Sequence, residues 1–268
     1  LEDGSQPENP LAARPGGWNA SFRVGSSIPI GFRVAAMAAA DFNRDGLSDL
    51  AVADYDRATV VIYLGSKTEP SQPPSLELPT GNNPYYLLAV DLNRDGRTDL
   101  AVANYQGASV TYYLGLGDGT FGPRQNASTG NGPWMIAAGD LNGDGISELI
   151  SANYNSANVS VISGGRNWET NSVVNFPAGR QPRGLSVGDL NGDGFLDVIV
   201  ACSGEDKLAF LAGDGTGQLS LPVLIEAGAG PRFVEVNDFD GDGSLDWILM
   251  NNGSDSLDLY YGDGKGGV

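Results

Sequence analysis

Short apolar runs recur along the chain, each closed off by glycine, proline, asparagine or aspartate. One kind precedes an acidic segment, as Trp134-Met135-Ile136-Ala137-Ala138 does. A second kind follows it, as in Leu100-Ala101-Val102-Ala103 and Val198-Ile199-Val200-Ala201. A third alternates and ends at glycine, as in Ser109-Val110-Thr111-Tyr112-Tyr113-Leu114-Gly115. A Gly-Asp-Gly turn (117–119, 213–215, 262–264) then leads into a fourth, more variable run. Runs this short, with turn residues between them and no helical spacing, predict strands and an all-β fold.

The four-run pattern repeats. Segments opening at Asp41, Asp91, Asp140, Asp189 and Asp238 are 50, 49, 49 and 49 residues apart. Gly65, Gly115, Gly164, Gly213 and Gly262 keep the same step. So do Gly31, Gly81, Gly130, Gly179 and Gly228, and so do Pro84, Pro133, Pro182 and Pro231. Four strands per repeat of this length is the signature of a β-propeller blade. The expectation is a propeller of five four-stranded blades over residues 21–268, preceded by an N-terminal tail over 1–20. Phe22 stands 19 residues before Asp41, as Phe121 does before Asp140 and Leu219 before Asp238. A strand around Phe22–Gly25 is therefore expected to complete the last blade and close the ring, removing two exposed edges.

Each repeat carries Asp-x-Asn/Asp-x-Asp-Gly-x-x-Asp/Glu. Oxygen side chains at positions 1, 3, 5 and 9, with a backbone carbonyl at 7, suit a hard cation that takes six to eight oxygens. The candidate ligands are Asp41, Asn43, Asp45, Leu47 and Asp49 in the first loop, and Asp91, Asn93, Asp95, Arg97 and Asp99 in the second. The third offers Asp140, Asn142, Asp144, Ile146 and Glu148, and the fourth Asp189, Asn191, Asp193, Phe195 and Asp197. The fifth offers Asp238, Asp240, Asp242, Ser244 and Asp246. Ca²⁺ is the expected ion, up to five of them. An EF-hand is a poor match, because its twelfth position needs a bidentate Glu and here holds Val52, Val102, Ser151, Val200 and Leu249.

These loops, their flanking strands and the period resemble the FG-GAP/VCBS repeats of integrin α-subunit propellers and of many secreted bacterial proteins. The resemblance covers about residues 22–268. It implies that each loop joins the first and second strands of a blade and binds Ca²⁺ on one face, with ligands meeting the opposite face. The family more usually has seven blades.

Charge supports the loop reading. The net charge is −18 and the chain has 33 acidic residues against 15 basic ones. Sixteen of the acids lie in the five loops, so the remainder of the chain is close to balance. Such a surface repels nucleic acid and anionic membranes, and no apolar run is long enough for a membrane span. The chain has no histidine, which removes Ser-His-Asp triads and His-held metals, and one cysteine, Cys202, which excludes an internal disulfide. Gly184-Leu185-Ser186-Val187-Gly188 matches a nucleophile elbow but leads into an acidic loop and has no imidazole to serve it. Asn19, Asn126, Asn158 and Asn252 begin N-x-Ser/Thr sequons.

On the end away from the acidic loops, Tyr85, Trp134, Arg183 and Arg232 start first strands and are the ligand-binding candidates. Tyr55, Tyr105 and Tyr154 repeat in phase and read as packing between blades. The expectation is a secreted, cell-surface or periplasmic module, not an enzyme, that recognises a protein or glycan there. A structural subunit of an extracytoplasmic assembly is one alternative, and a polysaccharide lyase or hydrolase is another.

Overall fold

The structure, a computed structural model, describes residues 29–67 and 74–265. Two compact units, Leu1–Gly31 and Phe32–Val268, divide the chain, and every described strand belongs to the second. The expected tail over 1–20 and the expected closing strand around Phe22–Gly25 lie outside the described residues.

Five antiparallel sheets follow one another along the chain. The first is β1 (Val34–Ala40), β2 (Asp49–Asp54), β3 (Thr59–Tyr63) and β4 (Leu76–Pro79). The second is β5 (Pro84–Val90), β6 (Asp99–Asn104), β7 (Ser109–Tyr113) and β8 (Gln125–Ser128). The third is β9 (Pro133–Gly139), β10 (Glu148–Asn153), β11 (Asn158–Gly164) and β12 (Asn171–Pro177). The fourth is β13 (Pro182–Gly188), β14 (Asp197–Cys202), β15 (Lys207–Leu211) and β16 (Val223–Glu226). The fifth is β17 (Pro231–Asn237), β18 (Asp246–Asn251) and β19 (Ser256–Tyr260), three strands among the described residues rather than the expected four. Strands pair in sequence order within each sheet, as consecutive hairpins require. No helix occurs among the described residues.

The sheets stack face to face, and that explains why the second strands are apolar without alternation. Successive side chains point to opposite faces. Leu100 and Val102 therefore pack with Ala51, Ala53 and Ile62 of the first sheet, while Ala101 and Ala103 pack with Leu149 and Ile162 of the third. The same division recurs between the third and fourth sheets and between the fourth and fifth. Along the inner edge β1 packs on β5, β5 on β9, β9 on β13 and β13 on β17.

Comparable packing of β17 on β1 is absent among the described residues. Equivalent positions show what that leaves uncovered. Leu87, Ile136, Leu185 and Val234 are at most 4% exposed, yet Met37 in the same phase of the first sheet is 66% exposed. Val60, Val110, Val159 and Leu208 are at most 1% exposed, yet Leu257 in the fifth sheet is 69% exposed. Among the described residues, one face of each terminal sheet thus lacks the neighbour that its counterparts have.

The last residue of each second strand (Asp54, Asn104, Asn153, Cys202, Asn251) is buried. Asn104 accepts the Gly81 N–H at 3.0 Å and donates to Ser109 and Thr111, tying the turn before one strand to the start of another. Cys202 takes this place in the fourth sheet, where burial pushes its thiol up to about 12.

Candidate functional site

Register places the two kinds of candidate residue at opposite ends of each sheet. In the second sheet Pro84 pairs with Asn104 at one end, and Val90 pairs with Asp99 at the other. Seven residues of extended chain separate these ends by about 20 Å.

At the loop end, each turn is wound on its own side chains. Asp41 accepts the Gly46 N–H at 2.8 Å through Oδ2 and the Asp45 N–H at 3.1 Å through Oδ1. Asn43 Oδ1 accepts that same Asp45 N–H at 3.0 Å, so oxygens from positions 1 and 3 are held side by side. Asp45 Oδ1 in turn accepts the Leu47 N–H at 2.8 Å. Position 1 accepts from the position 6 glycine in all five loops. That glycine has a left-handed backbone throughout, with φ of 84, 77, 90, 87 and 91°.

Two observations test whether these residues fit a cation. Asp140 Oδ1 is buried without a hydrogen-bond partner, and carboxylate oxygens of Asp238, Asp240 and Asp246 lie within 4.8 Å of one another. Converging oxygens without protons between them suit a hard divalent ion, and the third and fifth loops offer them.

Position 9 has a second task that sequence reasoning missed. Asp99 Oδ2 accepts the Leu92 N–H at 2.8 Å, and Oδ1 accepts the Gly115 N–H at 2.7 Å. Asp49, Asp197 and Asp246 make the same pair of bonds, to Phe42 and Gly65, Leu190 and Gly213, and Phe239 and Gly262. Glu148 departs from the pattern, accepting from Leu141 N and Asn142 Nδ2. The carboxylate thus staples the loop to the end of the third strand. A Cβ on Gly115 would lie 2.2 Å from the Thr98 carbonyl oxygen, and one on Gly65, Gly213 or Gly262 would meet a carbonyl in the same way, whereas at Gly164 it would meet the Trp168 ring. The signal was present as a constant 16-residue step from position 9 to that glycine. Each carboxylate oxygen keeps a second lone pair, so stapling does not bar cation binding.

Burial pushes Asp99 up to about 6, against the opposing Gly115 and Leu92 hydrogen bonds and with help from the charges of Asp95 and Asp91. Glu148 and Asp197 are raised as well, by burial first and then by the neighbouring carboxylates of their own loops. A divalent ion would relieve that like-charge repulsion.

At the opposite end, four aromatic rings converge. Tyr85 and Trp134 have ring centroids 4.3 Å apart, Trp134 and Tyr154 5.2 Å, and Trp134 and Tyr105 5.6 Å. The Arg183 guanidinium lies 4.9 Å from the Trp134 ring and 5.2 Å from the Tyr154 ring. Its Nε is buried with no hydrogen-bond partner. Neither Arg183 nor Arg232 has a carboxylate partner among the described residues. A cavity of about 440 Å³ opens beside the cluster, with Met37, Tyr85, Trp134, Gly184, Arg232 and Phe233 drawing on the first strands of all five sheets.

The structure thus brings Tyr85, Trp134 and Arg183 into contact and sets Arg232 on the shared cavity. Tyr105 and Tyr154, read as packing residues, belong to the same cluster, whereas Tyr55 stands apart under Arg33 at 3.9 Å. Met37 and Phe233 are additions that no local sequence signal marks, because their exposure depends on how the terminal sheets lie.

Stacked antiparallel sheets of three or four described strands, with an acidic turn between the first and second strand of each, are those of a repeat β-propeller. The chain belongs to the FG-GAP-like repeat family, whose profile matches residues 41–102, 91–151, 140–200 and 189–249. No curated protein matches the chain. Among solved structures it is similar to BBS1N, crystallised in complex with ARL6DN, with 16% identity, a TM-score of 0.57, and 87% of this chain covering 70% of that one. A protein from Lactobacillus plantarum gives 17% identity and a TM-score of 0.57, over 85% of this chain and 70% of that one. The periplasmic gluconolactonase PpgL of Pseudomonas aeruginosa gives 16% identity and a TM-score of 0.54, over 83% and 56%. At these identities the likeness is one of fold alone.

Proposed function

We propose that the protein is a calcium-stabilised binding module, secreted or exposed at a cell surface or in the periplasm. It takes a protein or glycan ligand on the end opposite the acidic loops. One observation carries the reading: a guanidinium stacked on two aromatic rings, with a buried Nε and no carboxylate of its own among the described residues. Aromatic faces with an unpaired arginine suit a ligand that offers an acidic group beside an apolar or sugar surface.

In this reading the calcium loops support the binding face from the far end. At roughly 1 mM Ca²⁺ and a dissociation constant near 0.1 mM, each filled loop contributes about 1.4 kcal/mol. Several such contributions rival the ~5–15 kcal/mol stability of a whole domain.

Changing Trp134, Arg183 and Arg232 together to alanine tests the site. Binding to glycan arrays and to candidate extracellular proteins is expected to fall at least a hundredfold, with the calcium-dependent melt unchanged. Undiminished binding by that variant would move the site elsewhere.

A second reading has its own support. The exposed Met37 and Leu257 lie at positions buried in the other sheets, as expected of a subunit whose neighbour covers them.

A further inference from the structure

The five acidic loops share a pattern but not a charge. Over nine positions the first has three acids and one arginine, the second three acids and two arginines. The third and fourth have three acids and no base, and the fifth has four acids and none. The second loop is therefore the least negative, and its two arginines differ in what they do.

Arg97, at position 7, turns back onto its own loop. Its Nη2 donates to Asp95 Oδ2 at 2.5 Å, and its Nε donates to the Gly115 carbonyl at 2.9 Å. The guanidinium is thus fixed between the position 5 carboxylate and the end of the third strand. Asp95 Oδ2 also accepts from Asn93 Nδ2 at 2.9 Å, and Asp95 Oδ1 accepts the Arg97 N–H at 2.9 Å. With two donors on Oδ2, both of its lone pairs are engaged.

The other loops keep this oxygen more open. Asp45 has a single donor on Oδ2, from Asn43. Among the described residues, Asp144, Asp193 and Asp242 each accept only the backbone N–H of position 7, through Oδ1. Position 7 there is Leu47, Ile146, Phe195 or Ser244, none of which carries charge. Arg94 points away, with Nη2 4.0 Å from Asp140 Oδ2 in the third loop, and it leaves Asp140 Oδ1 without a partner.

A divalent ion in the second loop would have to displace Arg97 from Asp95 or lie against a like charge. We infer that the second loop is closed by the Arg97 guanidinium in place of a metal ion, so the chain holds four calcium ions, not five. This rests on the calcium reading of the remaining loops.

The test counts ions by equilibrium dialysis against ⁴⁵Ca²⁺, with metal analysis of the dialysed protein. The wild-type chain is expected to hold four per molecule. Arg97→Leu, which installs the residue of the first loop at that position, is expected to hold five. Arg97→Ile, which repeats the third loop, serves if the leucine variant does not fold. Asp144→Asn in the third loop is expected to lower the count to three. Five ions in the wild type, or four in a folded Arg97 variant, would overturn the inference. A count of zero in every variant would instead remove the calcium reading itself.

Discussion

Position 4 of each acidic loop has a left-handed backbone, and the five repeats meet that demand differently. Gly143, Gly192 and Gly241 have φ of 71, 73 and 80°, whereas Arg44 and Arg94 have 61 and 56°. A side chain in this region costs about 1–2 kcal/mol, of which glycine's greater unfolded freedom returns part. Arg94 has some compensation in Asp140, but Arg44 makes no ion pair among the described residues. Arg44→Gly is therefore expected to stabilise the protein by about 0.5–1 kcal/mol. Denaturant unfolding would read this as a higher midpoint at unchanged slope, and a lower midpoint would show that the arginine has a role beyond the turn.

Among the elements, equal residues in equal phase have unequal surroundings. Leu208 in β15 and Leu257 in β19 occupy the same place in the repeat, but the first is fully buried and the second is 69% exposed. Truncating a packed leucine removes its transfer energy and leaves a cavity, about 2–5 kcal/mol in all. Truncating an exposed one stays within about 0.5 kcal/mol. Leu208→Ala is accordingly expected to lower the unfolding free energy several-fold more than Leu257→Ala. Equal losses, measured side by side in urea, would mean that the fifth sheet has a covering neighbour in solution.

For the whole molecule, the acidic turns tie every sheet's first strand to its second, so on the proposed calcium reading removing the ions would loosen four of the five turns at once. Four ions at about 1.4 kcal/mol each sum to roughly 5–6 kcal/mol. For a domain of this size, excess EGTA is expected to lower the melting temperature by roughly 10–20 °C. An unchanged melt would show that the position 9 staples alone hold the sheets. The single cysteine, Cys202, is buried and free, so no disulfide within the chain adds to this stability.

The sequence by itself determined the repeat, the strand order and the acidic turns, because all three rest on contacts between residues near in the chain. A two-residue alternation assigns faces, a glycine step marks where backbone meets backbone, and an Asp-Gly turn folds on its own oxygens. The position 9 staple was legible in the same way, as a fixed 16-residue interval, although its meaning required the Asp99–Gly115 bond. Only the tertiary structure decided which side chains meet across sheets. Trp134, Tyr85, Tyr105, Tyr154 and Arg183 come from three different repeats, and no local rule says that their rings converge. The exposure of Met37 and Leu257 is likewise set by which sheet stands next to which. Identical patterns along a chain cannot report that, because a side chain's burial belongs to its neighbours in space.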